Sequence, residues 1–396
     1  MGTKITGGVL LIVGTSIGAG MLALPIVTAA SGFVASSLML LVCWTIMTFG
    51  AFLLLEVNLW LPPRNNIITM ARTTLGRPGE IIAWASYLLL LYSLLSAYIS
   101  SGSDIFHGFT RILGIHSPVW LDSLVFVFIF GSIVFRGIQP VDYVNRALMI
   151  TKFGSLFILI FFAMPHVQTG PLLQGQPALL TSTITVMLTS FGFANIIPSL
   201  RSYFHDDVKV LRKAVLIGSL IPLCCYLLWD LVILGTLPHA TLVAIMQGGG
   251  SVTELTQALS QALQNASITG VARIFTTICI LTSFLCVALS LSDFLADGLR
   301  IEKIGLGNAL VNAMTFFPPL AIVIFYPSIF VKALNYAGIC CVVLIVLLPA
   351  LMAWSGRYHK KHLALGHYQV MGGRWAVVLL MIVSFVIIAL GIQAAL

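Results

Sequence analysis

The stretch Gly14-Thr15-Ser16-Ile17-Gly18-Ala19-Gly20-Met21-Leu22-Ala23-Leu24-Pro25 decides how this chain is read. It lies in the middle of an apolar run, residues 5–30. A membrane-crossing helix takes roughly 20 mainly apolar residues, so the run is long enough to span. Yet each of three closely spaced glycines weakens a helix by about 1 kcal/mol relative to Ala, and Pro25 removes a further backbone bond. Backbone left unpaired at bilayer depth is tolerated only against protein or a cavity. The competing explanation is close helix packing, because Gly14 and Gly18 are four residues apart.

A second stretch weakens that explanation. The run 182–204 contains Thr189-Ser190-Phe191-Gly192-Phe193-Ala194-Asn195 and then Pro198. Thr-Ser-X-Gly thus occurs in both runs, with a proline ten residues after Thr15 and nine after Thr189.

The rest of the chain supplies the setting. Of its 396 residues, 59% are hydrophobic and 8% charged, whereas soluble domains carry about 25% charged residues. This excludes a soluble enzyme, a nucleic-acid-binding domain and a disordered chain. Continuous apolar runs without strand alternation predict an all-α integral membrane protein. The expected transmembrane helices, 11 in number, lie near 5–30, 33–61, 81–105, 119–135, 147–167, 182–204, 213–236, 268–297, 309–326, 330–353 and 374–395. The first run has one early cation, Lys4, but no short apolar region with a cleavage site, so it reads as a span and not a signal peptide. With the N-terminus cytoplasmic, 17 of the 20 Lys and Arg residues fall inside, leaving Arg111, Arg273 and Lys332 outside. This positive-inside bias predicts a periplasmic or outer C-terminus and accounts for the net charge of +8 without an acidic partner.

The two interrupted runs are the first and the sixth, each opening a set of five. The sets, 5–167 and 182–353, are near-equal in length, and five being odd, the second runs with opposite topology. One transmembrane domain built as an inverted five-helix repeat (helices 1–5 and 6–10, with helices 1 and 6 broken) plus an extra helix at 374–395 is therefore expected. Matching interruptions in two halves point to a secondary transporter and to its binding site. Half-helix N-termini suit a carboxylate and freed carbonyls suit an ammonium group. A molecule with both on one carbon is an α-amino acid. Thr15, Ser16, Ile17, Gly18, Ala19 and Gly20 from the first break are candidate binding residues, with Thr189, Ser190, Phe191, Gly192, Phe193 and Asn195 from the second.

The first-span motif, together with Leu53-Leu54-Leu55-Glu56-Val57, Thr189–Phe193 and Thr282-Ser283-Phe284-Leu285-Cys286-Val287-Ala288-Leu289, resembles the bacterial aromatic amino acid permeases, above all their tyrosine-transporting members. The resemblance covers nearly the whole chain and implies the amino acid–polyamine–cation architecture in the bacterial inner membrane. It implies proton symport of an aromatic amino acid, with tyrosine first. A tryptophan or broader neutral amino acid carrier, or a sodium-coupled one, is the alternative. It also implies a side-chain pocket completed by the third, eighth and tenth spans, which adds Tyr92, Ser96 and Ser283. The neutral loop 237–267 becomes an outer lid hinged at Gly248-Gly249-Gly250.

Ionisable groups within spans are costly and are functional candidates by default. Lys152 is expected about one and a half turns into the fifth span. In sodium-coupled relatives of this architecture the ion sits between helices one and eight near helix five, where a lysine could replace it and couple protons. The alternative is an ammonium reaching the interface. Glu56 either couples protons or pairs with a basic loop residue, and Asp230 either binds a proton or substrate group or faces a hydrated vestibule. The seven cysteines lie inside spans and the histidines lack ligand spacing, so neither a metal nor another cofactor is expected. Arg64–Leu75 reads as an interfacial helix, and His359-Lys360-Lys361-His362 as an inner loop touching anionic lipid. A channel is disfavoured by the internal two-fold echo. An intramembrane enzyme is disfavoured because no mid-span His or paired acids are present.

Overall fold

A computed structural model describes the chain apart from residues 1, 64, 113, 115, 116, 264, 265, 361–367 and 396, and describes residues 2–4, 112, 182, 266, 267 and 395 by backbone alone. Arg64, Lys361, His362 and His367 therefore lie outside the described residues.

Among the described residues there are helices and no strand. The first half comprises α1 (Gly2–Ser16), α2 (Ala19–Thr28), α3 (Phe33–Leu59), α4 (Ile67–Leu75), α5 (Arg77–Ile112), α6 (Val119–Phe135), α7 (Ile138–Ala163) and the short α8 (Thr169–Leu172). The second comprises α9 (Ile184–Ser190), α10 (Ile197–Tyr203), α11 (Val208–Thr236), α12 (His239–Gln247), α13 (Val252–Leu263), α14 (Ala266–Leu299), α15 (Leu306–Phe325), α16 (Phe330–Val342), α17 (Leu348–Trp354) and α18 (Gly373–Ala395). Nine helical stretches among the described residues are long and apolar enough to cross a membrane, and the bent pair Ile5–Ser16 with Ala19–Ser31 makes a tenth. The remaining expected span, Val119–Phe135, has 17 residues. At 1.5 Å per residue it rises about 26 Å, a little short of the hydrocarbon core.

Local chemistry explains the interruptions. Gly18 adopts an extended conformation, φ −154° and ψ −151°, which stops α1 and restarts the chain as α2 at a bend of 52°. The sixth span is gentler. After α9 it tightens into a 3-10 turn, Gly192–Ile196, and resumes as α10 with Pro198 in its first turn, where a proline costs no hydrogen bond. The two interrupted spans pack on each other, α2 against α9 and α1 against the 3-10 turn. The N-terminal half of one thus lies beside the C-terminal half of the other. They run antiparallel.

Other boundaries moved in ways that matter. The fifth helix begins at Ile138 and not near 147, because the polar stretch Gln139–Asn145 continues it as regular helix. Lys152 is therefore 14 residues in, about 21 Å along the axis, and not one and a half turns from the end. The tenth span widens into a π-turn at Val343–Leu347 beside Gly50 of α3. A Cβ on Gly50 would lie 2.3 Å from the Ile345 carbonyl oxygen, so only glycine lets the two backbones meet there. The expected interfacial helix is α4, capped by the Asn66 side chain accepting from the Thr69 amide. The loop at 237–267 forms α12 and α13 around Gly248–Gly250, with Gly249 and Gly250 at φ +103° and +78°. Gly249 meets Ser328 and Gly250 meets Ile26 and Val331, which seats the turn on the first and tenth spans.

Candidate functional site: two helix breaks joined by side chains

Three neighbouring helices supply polar groups to the breaks. The Lys152 ammonium on α7 donates to the Ile17 carbonyl at 2.7 Å. Lys152 is 1% exposed, and Cys279 and Cys286 of α14 lie nearby. The lysine amine is thus placed on the backbone between the first, fifth and eighth spans. On α14, Ser283 accepts the Ala19 amide proton at its Oγ, 3.1 Å away, satisfying one of the free donors that open α2. The Gly18 N–H finds no backbone or side-chain acceptor among the described residues. A Cβ on Gly18 would lie 2.5 Å from Ser283 Oγ, so the glycine is what allows α14 to approach the break. Tyr98 on α5 brings its phenol to the same serine.

The third group was not anticipated from sequence. Tyr226 on α11 is fully buried, and its hydroxyl lies 2.7 Å from both the Ser16 and the Ser190 carbonyl oxygens. Those are the last residues of α1 and α9, where a helix leaves carbonyls unpaired. The Phe191 ring packs edge-on to Tyr226, with centroids 5.2 Å apart.

The predicted residues divide accordingly. Ile17, Gly18, Ala19 and Ser283 converge at the first break, and Lys152 meets them. A Cβ on Gly20 would lie 3.2 Å from Ser190 Oγ, which brings the first break against the second. Phe191 and Phe193 are fully buried beside it. The four hydroxyls turn back to helix carbonyls instead of facing a shared space. Thr15 donates to Leu11 and Ile12, Ser16 to Ile12, Thr189 to Thr185 and Leu334, and Ser190 to Val186. A Cβ on Gly192 would lie an ordinary 3.7 Å from the Cys341 sulfur. Tyr92 points elsewhere, donating to the Met314 carbonyl of α15 at 2.8 Å, and Ser96 donates to Tyr92 on its own helix.

The remaining candidates have distinct surroundings. Glu56 is held bidentately by Arg357, at 2.7 and 2.5 Å, and accepts the Val370 amide at 2.7 Å. The pair is buried and ties α3 to the π-turn that ends the tenth span, the pairing arrangement that the sequence left open. Arg201 makes a similar tie. It donates to the Asn58 and Leu61 carbonyls at the end of α3 and to Asp206. Asp230 is fully buried in α11. Thr28 donates to one carboxyl oxygen at 3.3 Å, and the other oxygen has no partner among the described residues.

Two cavities approach the breaks from opposite ends. One, of about 510 Å³, is lined by Leu54, Tyr87, Asn195, Pro198 and Phe294. The other, of about 450 Å³, is lined by Asp104, His107, Glu254, Arg273 and Thr276, with α13 along one side. Tyr87 and Asp104 share α5 and are separated by roughly 25 Å of helical rise. The buried breaks lie between them. Asn195, exposed at the rim of the first cavity, belongs to an approach rather than to the packed centre.

The tryptophan/tyrosine permease family profile matches residues 1–391. Tyrosine-specific transport system 2 of Haemophilus influenzae is 34% identical, over 97% of this chain and 95% of its own length. The tryptophan-specific transport protein of the same organism is 31% identical, over 94% and 92%. Glutamine transporter 2 of Aliivibrio fischeri is 30% identical, over 95% and 96%.

Proposed function

Because the chain belongs to the tryptophan/tyrosine permease family, we propose that it imports an aromatic amino acid, L-tyrosine before tryptophan, by proton symport and alternating access. The family is one of permeases, and a bacterial multi-pass membrane carrier is the premise from which the finer reading proceeds. Tyrosine is put first because the tyrosine-specific relatives are the more alike in sequence. The N-terminus is placed in the cytoplasm on the distribution of Lys and Arg.

The observation that carries proton coupling is the Lys152 contact with Ile17. An isolated buried ammonium is costly, and a single neutral carbonyl offsets only part of that cost. The protonated lysine holds the first break in its present bend. Giving up the proton removes the charge from that contact and frees α1 to move relative to α7. A lysine that brings its own charge to the break leaves no need for a sodium ion there. The substrate's carboxylate is assigned to the amides of the first break, where the Gly18 N–H is unpartnered, and its ring to the Phe191 and Phe193 side. The two cavities at opposite ends supply the outer and inner approaches, with α12–α13 as the outer lid.

A broader neutral amino acid carrier is the second reading, favoured by the glutamine-named relative. Purified protein in proteoliposomes, given imposed pH or sodium gradients and labelled tyrosine with competing amino acids, separates the two. Accumulation driven by the pH gradient alone and competed best by aromatic amino acids supports the proposal. Accumulation driven only by sodium, or competed equally by glutamine, overturns it.

A further inference from the structure

The Tyr226 hydroxyl has one proton and faces two carbonyl oxygens, each at 2.7 Å. Its proton can be donated fully to one of them at a time. Both acceptors end half-helices, where the macrodipole adds partial negative charge. The point where α1, α9 and α11 meet is therefore rich in acceptors and one donor short. Tyr226 is fully buried, with the Phe191 ring edge-on to it, so no bulk water makes up that shortfall.

We infer that Tyr226 is a positioning residue that fixes the spacing of the two breaks and thereby sets how tightly the protein holds the α-ammonium group of its substrate. This rests on the reading that the breaks bind the amino acid backbone. An ammonium brings three N–H donors, which suits a place where two carbonyls converge on a single hydroxyl. The phenol holds the carbonyls at that convergence. Without it α1 and α9 lose their shared partner, and the acceptors no longer point to one place.

The test is equilibrium binding to the full chain in detergent. It compares L-tyrosine with its desamino analogue, 3-(4-hydroxyphenyl)propionate, for the native protein, Tyr226→Phe and Tyr92→Phe. Tyr92 serves as control because its phenol also donates to a backbone carbonyl, away from the breaks. Tyr226→Phe is expected to weaken tyrosine about tenfold and the analogue by no more than about twofold, so the preference for the amino compound collapses. Tyr92→Phe keeps that preference. An unchanged preference in Tyr226→Phe, whether both compounds bind as before or both weaken together, overturns the inference. Should Tyr226→Phe not purify as a single species, the same ratio is read in intact cells as competition against labelled tyrosine uptake, which does not depend on the amount of folded protein. Gly18→Val in the same assay tests the underlying reading. If it leaves both compounds bound normally, the breaks are not the site and the role of Tyr226 falls with them. If it abolishes binding while Tyr226→Phe keeps the preference, only the role of Tyr226 is lost.

Discussion

The two helix breaks share Thr-Ser-X-Gly and differ in almost everything around it. At the first, the backbone turns through 52°, a lysine takes the Ile17 carbonyl and a serine takes the Ala19 amide. At the second, the chain tightens into a 3-10 turn, and its two aromatic rings are fully buried. The first glycine is pressed against Ser283, whereas the second has a Cys341 sulfur at ordinary contact distance. Two copies of a similar motif thus have different surroundings: a lysine and a serine meet the backbone of the first, and buried aromatic rings pack at the second. Tyr226 touches both and keeps them in register.

Substitutions at matching positions probe this asymmetry. The largest effect is expected from Gly18→Val, because its new side chain drives into α14 from a Cβ only 2.5 Å from Ser283 Oγ. Misplacement on that scale costs about a hundredfold in uptake, and the loss should extend to tyrosine, tryptophan and phenylalanine alike. A variant that only changed preference among them would break the assignment. Lys152→Ala comes next. Accumulation driven by a pH gradient should vanish while tyrosine counterflow persists, since the amides of the first break remain. Undiminished accumulation would remove the lysine from coupling. Phe191→Leu should shift the tyrosine-to-phenylalanine uptake ratio by up to about tenfold, the scale of a changed apolar pocket wall. Unchanged ratios would take the second break out of the pocket. Gly192→Ala sharpens the contrast. With its added Cβ at an ordinary 3.7 Å from the Cys341 sulfur and no positive φ, it should leave uptake within about twofold of the native protein.

Much of this was legible in the sequence because membranes penalise irregular backbone and buried charge so heavily. Gly18 and Gly192 stood out as interruptions in apolar runs, and Lys152 as a cation among apolar residues. What stayed hidden was register on unbroken helices. Tyr92 and Ser96 were the expected pocket residues on the third span; they bond to the Met314 and Tyr92 carbonyls, and Tyr98, under two turns beyond Tyr92, is the one beside Ser283. Tyr226 sits four residues before Asp230 in a continuous apolar helix, and no local motif marks which of its faces meets the breaks. The start of the helix that carries Lys152 was placed too late because Gln139–Asn145 has the polarity of a loop. Glu56 carried the same intramembrane signal as Lys152. The cation that pairs with it lies 301 residues away in sequence, in a segment that packs beside α3 only after folding.

The central claim is that Lys152 exchanges its proton as the first break opens and closes. Tyrosine-evoked proton entry into proteoliposomes, followed with an internal pH dye at zero imposed gradient, tests it most directly. Acidification with native protein and none with Lys152→Ala, under conditions where both still exchange labelled tyrosine, is the predicted result. Equal acidification from the two proteins would contradict it.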